Sequence, residues 1–364
     1  MLTTSYLLKT LEIVSPAIGR ADVSPQLANL WFDGKYVTGF DDTVYITTNC
    51  ELPIEGGVKG ALLLSLLSKH DGDKEIIVAQ NGEVLDLAIG KRTKAKLAIE
   101  SLDARGFPEE ESIPNAIIKC NKGKFLRAME HCVKCVGADI SKPEYFGITL
   151  EAEQFEGAIA LYSGDTSTLV EAVVPIKSTP AFKQVVLPVK FCQQLLKYYP
   201  DKDATLEVIE TPASKSKDGR PNNGYALLKT PYVTVYGRNL LITPSEGDST
   251  PDFFERALKA ATTFMPMPPI TKILERASIL DENRDNLKLS VVEAKGKRQL
   301  KFYINKENTE LTDISNPVVS DHEPIKVLTS VKNIKHGSLL QEININSQYI
   351  IMRTIDGSAS IVQL

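Results

Sequence analysis

Histidine is nearly missing from this chain: His70, His131, His322 and His336 are four among 364 residues. An imidazole is the commonest general base near neutral pH, and none of the four stands beside a nucleophile in a motif with a mechanism. There is no G-x-S-x-G and no G-x-x-x-x-G-K-[ST]. Phe40-Asp41-Asp42 supplies paired carboxylates, but at a turn between strand-like runs, where aspartate is common for backbone reasons. The reading is therefore a non-enzyme, with no cofactor and no metal. Cysteine is also sparse and odd in number (Cys50, Cys120, Cys132, Cys135, Cys192), which fits buried free thiols rather than a disulfide framework. Cys132-Val-Lys-Cys135, beside His131, lies in a helical pattern with no second Cys/His pair at zinc spacing, so it reads as core. The longest apolar run, Ala61 to Leu67, contains a serine and falls far short of a membrane span. MLTTSYLLKTLEIV has no basic n-region or small-residue cleavage site. A soluble, cytoplasmic protein with no membrane partner is expected.

What is present is ordinary globular composition, 43% hydrophobic and 24% charged, at a length that suits two or three domains. Three segments share one pattern: YLLKTLEIVSPAI, KFLRAMEHCVKCV and ITKILERASIL. Their apolar residues fall at i, i+1, i+4, i+7 (Leu7, Leu8, Leu11, Val14; Phe125, Leu126, Met129, Cys132; Ile273, Leu274, Ala277, Leu280), one face of an amphipathic helix. A second helix is expected after each, from Val58, from Val189 and from Ile325, with strand-like runs between and after the helices. Asn81-Gly82 between alternating apolar positions is a hairpin signal. ARGFPEEESIP and MPMPP read as joints, and TPASKSKDGRPNNG (211–224) as an exposed loop. The order helix, strands, helix, strands thus recurs three times. It predicts an α+β chain of three domains, 1–114, 115–264 and 265–364, each a sheet with two helices on one face.

Charge is unevenly placed on this plan. The six expected helical segments (6–18, 58–70, 121–136, 188–198, 270–280 and 325–336) hold fourteen basic residues against Glu12, Glu130 and Glu275, in a chain whose formal charge is −4. Lysine and glutamate have similar helix propensity, so propensity alone does not explain the bias. Basic helices on an acidic body suit a phosphate backbone. Asn and Gln, which read bases, are sparse on these helices, which points to sequence-independent contact.

The same residues carry a family resemblance. LLKTLEIVSPAIGR, LANLWFDGKYVTGFDD, LYSGDTSTLVEAVVPI, STPDFFERAL and LERASIL, in that order along the whole chain, resemble the bacterial DNA polymerase III beta subunit, the sliding clamp family. The scattered identity suggests a divergent phage member. The resemblance implies a clamp-fold, head-to-tail homodimer that encircles double-stranded DNA as a ring. It also implies a processivity factor that tethers DNA polymerase and is served by a clamp loader. The implied DNA-binding set is Arg20, where the family carries a DNA-contacting arginine, with Lys59, Lys122, Lys124, Arg127, Lys134, Lys190, Lys197, Lys272, Arg276, Lys326 and Lys332. The implied partner-peptide pocket is Tyr145, Asp165, Thr166, Ser167, Thr168 and Leu169, with Pro251, Val362 and Leu364. Thr166-Ser167-Thr168 stands where the family commonly has Gly-His-Arg, which bears on the peptide accepted. A clamp-fold platform or decoy for transcription, recombination or host loader factors is the alternative use of the same fold.

LYSGDTSTLVEAVVPI itself contains Ser, Asp and Thr together. Its counterpart VTGFDDTVYITTNCELPI in the first copy shares the glycine and the closing Pro-Ile, so the cluster reads as a repeated strand-turn-strand element rather than a catalytic group.

Overall fold

The computed structural model describes residues 2–70, 73–104, 116–137, 147–152, 155–165, 167–177, 182, 184–209, 224–240, 250–261, 263–280, 287–306, 309–329, 334–335, 337 and 340–363. The expected loop 211–224, apart from Gly224, and most of the joint 104–114 lie outside these residues.

Three repeats follow one another. The first runs α1 (Thr4–Val14), β1 (Asn29–Asp33), β2 (Tyr36–Phe40), β3 (Val44–Asn49), β4 (Glu55–Lys59), α2 (Gly60–Ser68), β5 (Ile76–Asn81), β6 (Val84–Ile89) and β7 (Thr93–Ala98). The second runs β8 (Ala116–Ile117), α3 (Lys122–Lys134), β9 (Gly147–Glu151), β10 (Ala158–Gly164), β11 (Thr168–Pro175), β12 (Gln184–Pro188), α4 (Val189–Tyr198), β13 (Thr205–Ile209), β14 (Tyr225–Lys229) and β15 (Val233–Arg238). After it comes α5 (Thr250–Ala260). The third runs β16 (Met265–Pro266), α6 (Thr271–Leu280), β17 (Leu287–Ala294), β18 (Lys297–Lys306), β19 (Thr309–Ile314), β20 (Ile325–Thr329), β21 (Glu342–Ile345), β22 (Ile350–Arg353) and β23 (Ala359–Gln363). Ile334, Lys335 and Gly337 are helical between β20 and β21.

The helix stripes are where periodicity puts them. α1 buries Leu7, Leu11 and Val14 and is capped by Thr3, whose side chain accepts from Tyr6 N. α3 buries Phe125, Ala128, Met129 and Cys132 under an Asn121 cap, and α6 buries Ile273, Leu274 and Ala277. Each fully buried Leu or Phe contributes about 1.5–3 kcal/mol of transfer free energy. The Asn81-Gly82 hairpin is present, with Asn81 paired to Val84 and Gly82 at a φ of 61°. One expectation is overturned: the third repeat does not begin a helix at Ile325. Ile325–Thr329 is a strand in register with β17, because Ile-Lys-Val-Leu-Thr alternates and is β-branched. Val58 and Lys59 likewise belong to β4. In the first two repeats a strand runs into the following helix without a break, at Lys59–Gly60 and Pro188–Val189, so a helical pattern read from sequence extends back over the strand.

The chain divides into two compact units, Met1–Ile118 with Pro180–Leu240, and Lys119–Thr179 with Leu241–Leu364. In the first, an antiparallel sheet has the order β4-β1-β2-β3-β15-β14-β13-β8, and β5-β6-β7 forms a second sheet. β3 of the first repeat joins β15 of the second, from Val44↔Gly237 to Thr48↔Val233. In the other unit β9-β10-β11-β23-β22-β21-β16 are neighbours in order, and β19-β18-β17-β20 forms a separate four-stranded sheet. There β11 of the second repeat joins β23 of the third, from Thr168↔Gln363 to Ala172↔Ala359.

Gly237 lies in the first joint because the fully buried Phe191 of α4 packs on its backbone: a Cβ there would come within 2.6 Å of the ring. Gly237→Val is expected to cost about 1–3 kcal/mol through overpacking and to lower the Tm by about 5 °C in a calorimetric scan. An unchanged Tm would show that the joint tolerates a side chain.

Candidate DNA and partner-peptide sites

The helix cations are brought together unevenly. On α3, Lys124, Arg127 and Lys134 are exposed and recur at i, i+3, i+10, one stripe opposite the buried Phe125 and Met129. Lys134 pairs with Glu130 at 2.9 Å, and Arg127 Nε donates to Gly123 O at 3.3 Å. Lys122 is half-buried. On α4, Lys190 and Lys197 are exposed one and two turns along a common face, with Lys197 Nζ 4.8 Å from the Tyr198 ring centroid. On α6, Lys272 and Arg276 are exposed, and Arg276 is held by Asp313.

Other members of the expected set lie off the helices. Lys59 is on β4, 3.7 Å from Glu100, with Nζ donating to Pro25 O at 3.2 Å. Arg20 is on the loop after α1, exposed and paired with Asp22 at 2.7 Å. Lys326 is on β20, not on a helix, and projects from a sheet face. Lys332 lies outside the described residues. Exposed pairs such as Arg20–Asp22 and Lys134–Glu130 are worth little and are screened by salt, so Arg20 and Lys134 can exchange a carboxylate for a phosphate at small cost.

Lys190 is different. Its ammonium contacts the shielded Asp41 carboxylate, whose other oxygen caps the β2–β3 turn by accepting from Thr43 N (3.0 Å), Thr43 Oγ1 (2.8 Å) and Val44 N (2.8 Å). Burial by itself would raise the Asp41 pKa, but the bonds from Lys190, Val44 and Thr43 outweigh it and hold the carboxyl below its ordinary value. The same turn recurs in the second repeat: Asp165 Oδ1 accepts from Ser167 N (2.8 Å), Ser167 Oγ (2.9 Å) and Thr168 N (2.8 Å). The Ser167 hydroxyl of LYSGDTST is thus occupied in an Asx turn, Ser163 Oγ donates to Cys132 O at 2.8 Å, and the buried Thr168 Oγ1 has no hydrogen-bond partner among the described residues.

The cysteine thiols and His322 are packed into the fold. Cys50, Cys132, Cys135 and Cys192 are buried, and burial raises the Cys50 thiol to about 12 and the half-buried Cys120 to about 11. His322 is buried, donating from Nδ1 to Glu323 O (2.8 Å) while Nε2 accepts from Ile345 N (3.1 Å).

Of the expected peptide-pocket residues, Leu169 and Val362 meet directly. They are register partners across the β11·β23 joint and belong to one apolar cluster with Ala160, Tyr162, Ile351 and, from α5, Phe254 and Ala257. Phe155, Leu258, Ala261, Phe264 and Tyr349 are partly buried against it. Asp165 and Ser167 stand half-buried at the turn beside Leu169. Thr168 is buried but, one residue before Leu169, points to the opposite sheet face. Pro251 is in the first turn of α5. Tyr145, Thr166 and Leu364 lie outside the described residues.

Sequence reasoning missed two features here. STPDFFERAL was used only for the family resemblance and not read as a helix, although Thr250-Pro251-Asp252 is a helix-start signal. Tyr162 and Glu171 also went unread: they are register partners in β10 and β11, and Tyr162 Oη donates to Glu171 Oε1 at 3.0 Å. Burial raises the Glu171 pKa, and the tyrosine bond only partly offsets it.

No family model and no curated protein matches this chain in sequence. Solved structures do match. A putative DNA polymerase III beta subunit from Eubacterium rectale aligns over 100% of this chain and 97% of its own, with TM-score 0.75 and 16% identity. The chain has the sliding-clamp fold. The DNA polymerase sliding clamp of Bacillus subtilis gives TM-score 0.73 at 17% identity over 100% and 97% of the two chains. The Helicobacter pylori beta clamp, in a structure with a DNA ligase peptide, gives 0.73 at 16% over 100% and 98%. These likenesses span the whole clamp, all three repeats included. Among the described residues no helix is long and apolar enough to cross a membrane.

The Asp41 turn makes a pH prediction. A carboxyl whose folded pKa is depressed stabilises the fold above its unfolded value near ~3.9, and that contribution disappears as pH falls through the folded pKa. Asp41→Asn keeps an oxygen for the turn but loses the charge facing Lys190. Its Tm should fall below wild type at pH 6–8, and the gap should close on acidification below about pH 3.5. A gap independent of pH would rule out the ionic part.

Proposed function

We propose that this protein is a DNA polymerase processivity factor, a sliding clamp that closes as a head-to-tail homodimer around duplex DNA. The observation that carries it is the rule followed by the two sheet joints. In each, the third strand of one repeat's first meander (β3, β11) pairs with the last strand of the next repeat (β15, β23). Applied once more, the rule leaves two strands over: β19 of the third repeat and β7 of the first, each at the end of its own sheet. Pairing β19 with β7 of a second copy, twice, closes two chains by a two-fold rotation into six domains with the boundaries 1–114, 115–264 and 265–364.

The two free edges are chemically matched. β7 presents exposed Lys94 and Lys96 after Lys91-Arg92, and β19 carries Glu310 and Asp313 with an exposed Ile314. Opposite charges on facing strands stabilise pairing, and like charges oppose self-pairing of either edge. Encirclement makes tight contact unnecessary: the α3 stripe and Lys190, Lys197, Lys272 and Arg276 need hold phosphates only weakly, in a salt-dependent way. The Leu169–Val362 cluster, rimmed by half-buried aromatics, supports a site for apolar peptide motifs of polymerase and clamp loader. It lacks the family's Gly-His-Arg cations, so its peptides differ in charge. Such a protein is a scaffold and not an enzyme.

Sedimentation at micromolar concentration should give a dimer, and Lys94→Glu with Lys96→Glu should raise the dissociation constant about tenfold to a hundredfold. A variant as dimeric as wild type would remove the β7–β19 joint from the argument.

Lys124→Glu with Arg127→Glu should shorten the lifetime of the loaded protein on nicked circular DNA severalfold and flatten its salt dependence by about two counterions. Unchanged retention would mean that α3 does not face the DNA.

A further inference from the structure

The strand that displaced an expected helix exposes a surface that the clamp reading does not use. In β1 and β9 consecutive residues are buried on both sheet faces. Their counterpart β17 alternates, with Leu287, Leu289 and Val291 buried and Lys288 exposed. α6 covers the apolar face, where Arg276 reaches Asp313. Among the described residues the opposite face of the β19-β18-β17-β20 sheet is exposed at Lys288, Lys301, Thr312, Ile314 and Lys326. Register places Lys326, Ser290, Lys301 and Ile314 in one row across the four strands, and Lys288, Tyr303 and Thr312 in the next. Lys297 continues the face along β18, and Gln299 and Asn305 flank it. Among the described residues of this face the only acid is Glu310, which accepts from Asn305 at 3.1 Å. Glu293 is on the other parity, bonded to Arg298.

We propose that this exposed sheet face is a second nucleic-acid surface, fitted to single-stranded DNA. Neighbouring strands lie about 4.8 Å apart and alternate residues about 6.8 Å, so the lysines form a flat grid along which a flexible sugar-phosphate chain can pass. Tyr303 is set among them, with Lys288 Nζ 5.3 Å from its ring centroid, and cations interleaved with an aromatic ring are how non-specific single-strand binders hold backbone and base together. The face carries lysine and no arginine. Point charges suit diffuse phosphate contact, whereas an acidic protein segment is better held by the bidentate guanidinium fork. A stacked duplex presents no free base to Tyr303, which favours the single strand. The surface goes beyond the proposed clamp role, since a linear single strand needs no closed dimer to reach it.

The test is fluorescence anisotropy of the full chain with a labelled 20-mer of oligo-dT at low salt. Lys288→Glu with Lys301→Glu and Lys326→Glu should weaken binding at least tenfold and reduce the log Kd against log salt slope by about 2. Tyr303→Leu should weaken it severalfold at unchanged slope, and Lys124→Glu with Arg127→Glu should leave it as in wild type. Near-native thermal unfolding is expected, because the reversed side chains are exposed. If the triple variant unfolds early, Lys301→Ala alone should still lower the slope. Wild-type affinity in the triple variant, equal competition by a blunt duplex of the same length, or equal competition by poly-glutamate at matched charge would each overturn the proposal. Any of these could occur with retention on circular DNA intact, so failure here leaves the clamp reading standing.

Discussion

Everything in each unit hangs on one antiparallel joint between strands that are remote in sequence. A three-stranded meander alone has two raw edges and too little apolar surface to persist. Joining β3 to β15 satisfies one edge of each of two meanders and makes an eight-stranded sheet. The joint strands are correspondingly apolar and branched, with Val44, Ile46, Val233 and Val235 buried at one joint and Leu169, Val170, Ile361 and Val362 at the other. Both depend on the turn that precedes them. Asp41 takes the N–H of Val44 and Asp165 that of Thr168, the first residues of β3 and β11. The Asx turn therefore sets where the joining strand begins, and a slip of one residue there would exchange its buried and exposed faces.

Charge is layered on this frame with few commitments. Most of the basic residues expected to meet DNA are exposed, and Arg20 and Lys134 are paired with acids that are exposed as well. Arg276 and Lys190 differ in having shielded partners, and the partner of Lys190, Asp41, is also a structural cap. In the proposed DNA contact the contribution of Lys190 is therefore tied to the stability of the β2–β3 turn.

What could be read from sequence was whatever is local. Leu7, Leu11 and Val14, or Phe125, Met129 and Cys132, announce a helix through spacing alone, and Asn81-Gly82 announces its hairpin. Comparing GDTST with FDDTV between copies was enough to recognise a turn, because an Asx turn is made within four residues. Ile325 failed for a local reason too: Ile-Lys-Val-Leu-Thr fits both periods, and only its pairing with Leu287–Val291 decides between them. The joints were illegible because Thr48 and Val233 meet across 185 residues of chain with nothing in either strand that names the other. The Leu169–Val362 meeting was reached only through the family resemblance. Phe254 and Ala257, which cover it, were missed because α5 is an insertion between repeats and has no copy to compare.

The composition of the third strands carries the last step. β3 and β11 use Val, Tyr, Ile, Leu and Ala, and both are consumed within the chain. β19, at the same place in the third repeat, reads Thr-Glu-Leu-Thr-Asp-Ile and is left as an edge. An edge as apolar as β11 would pair with any exposed strand, including its own copy. An acidic edge resists that and accepts a basic strand instead, and β7 has the sequence Thr-Lys-Ala-Lys-Leu-Ala. In the proposed dimer, the difference between the third strand and its two counterparts is the difference between a joint made inside one chain and one made between chains. In that dimer the repeat that breaks the pattern in sequence is the one that chooses a partner.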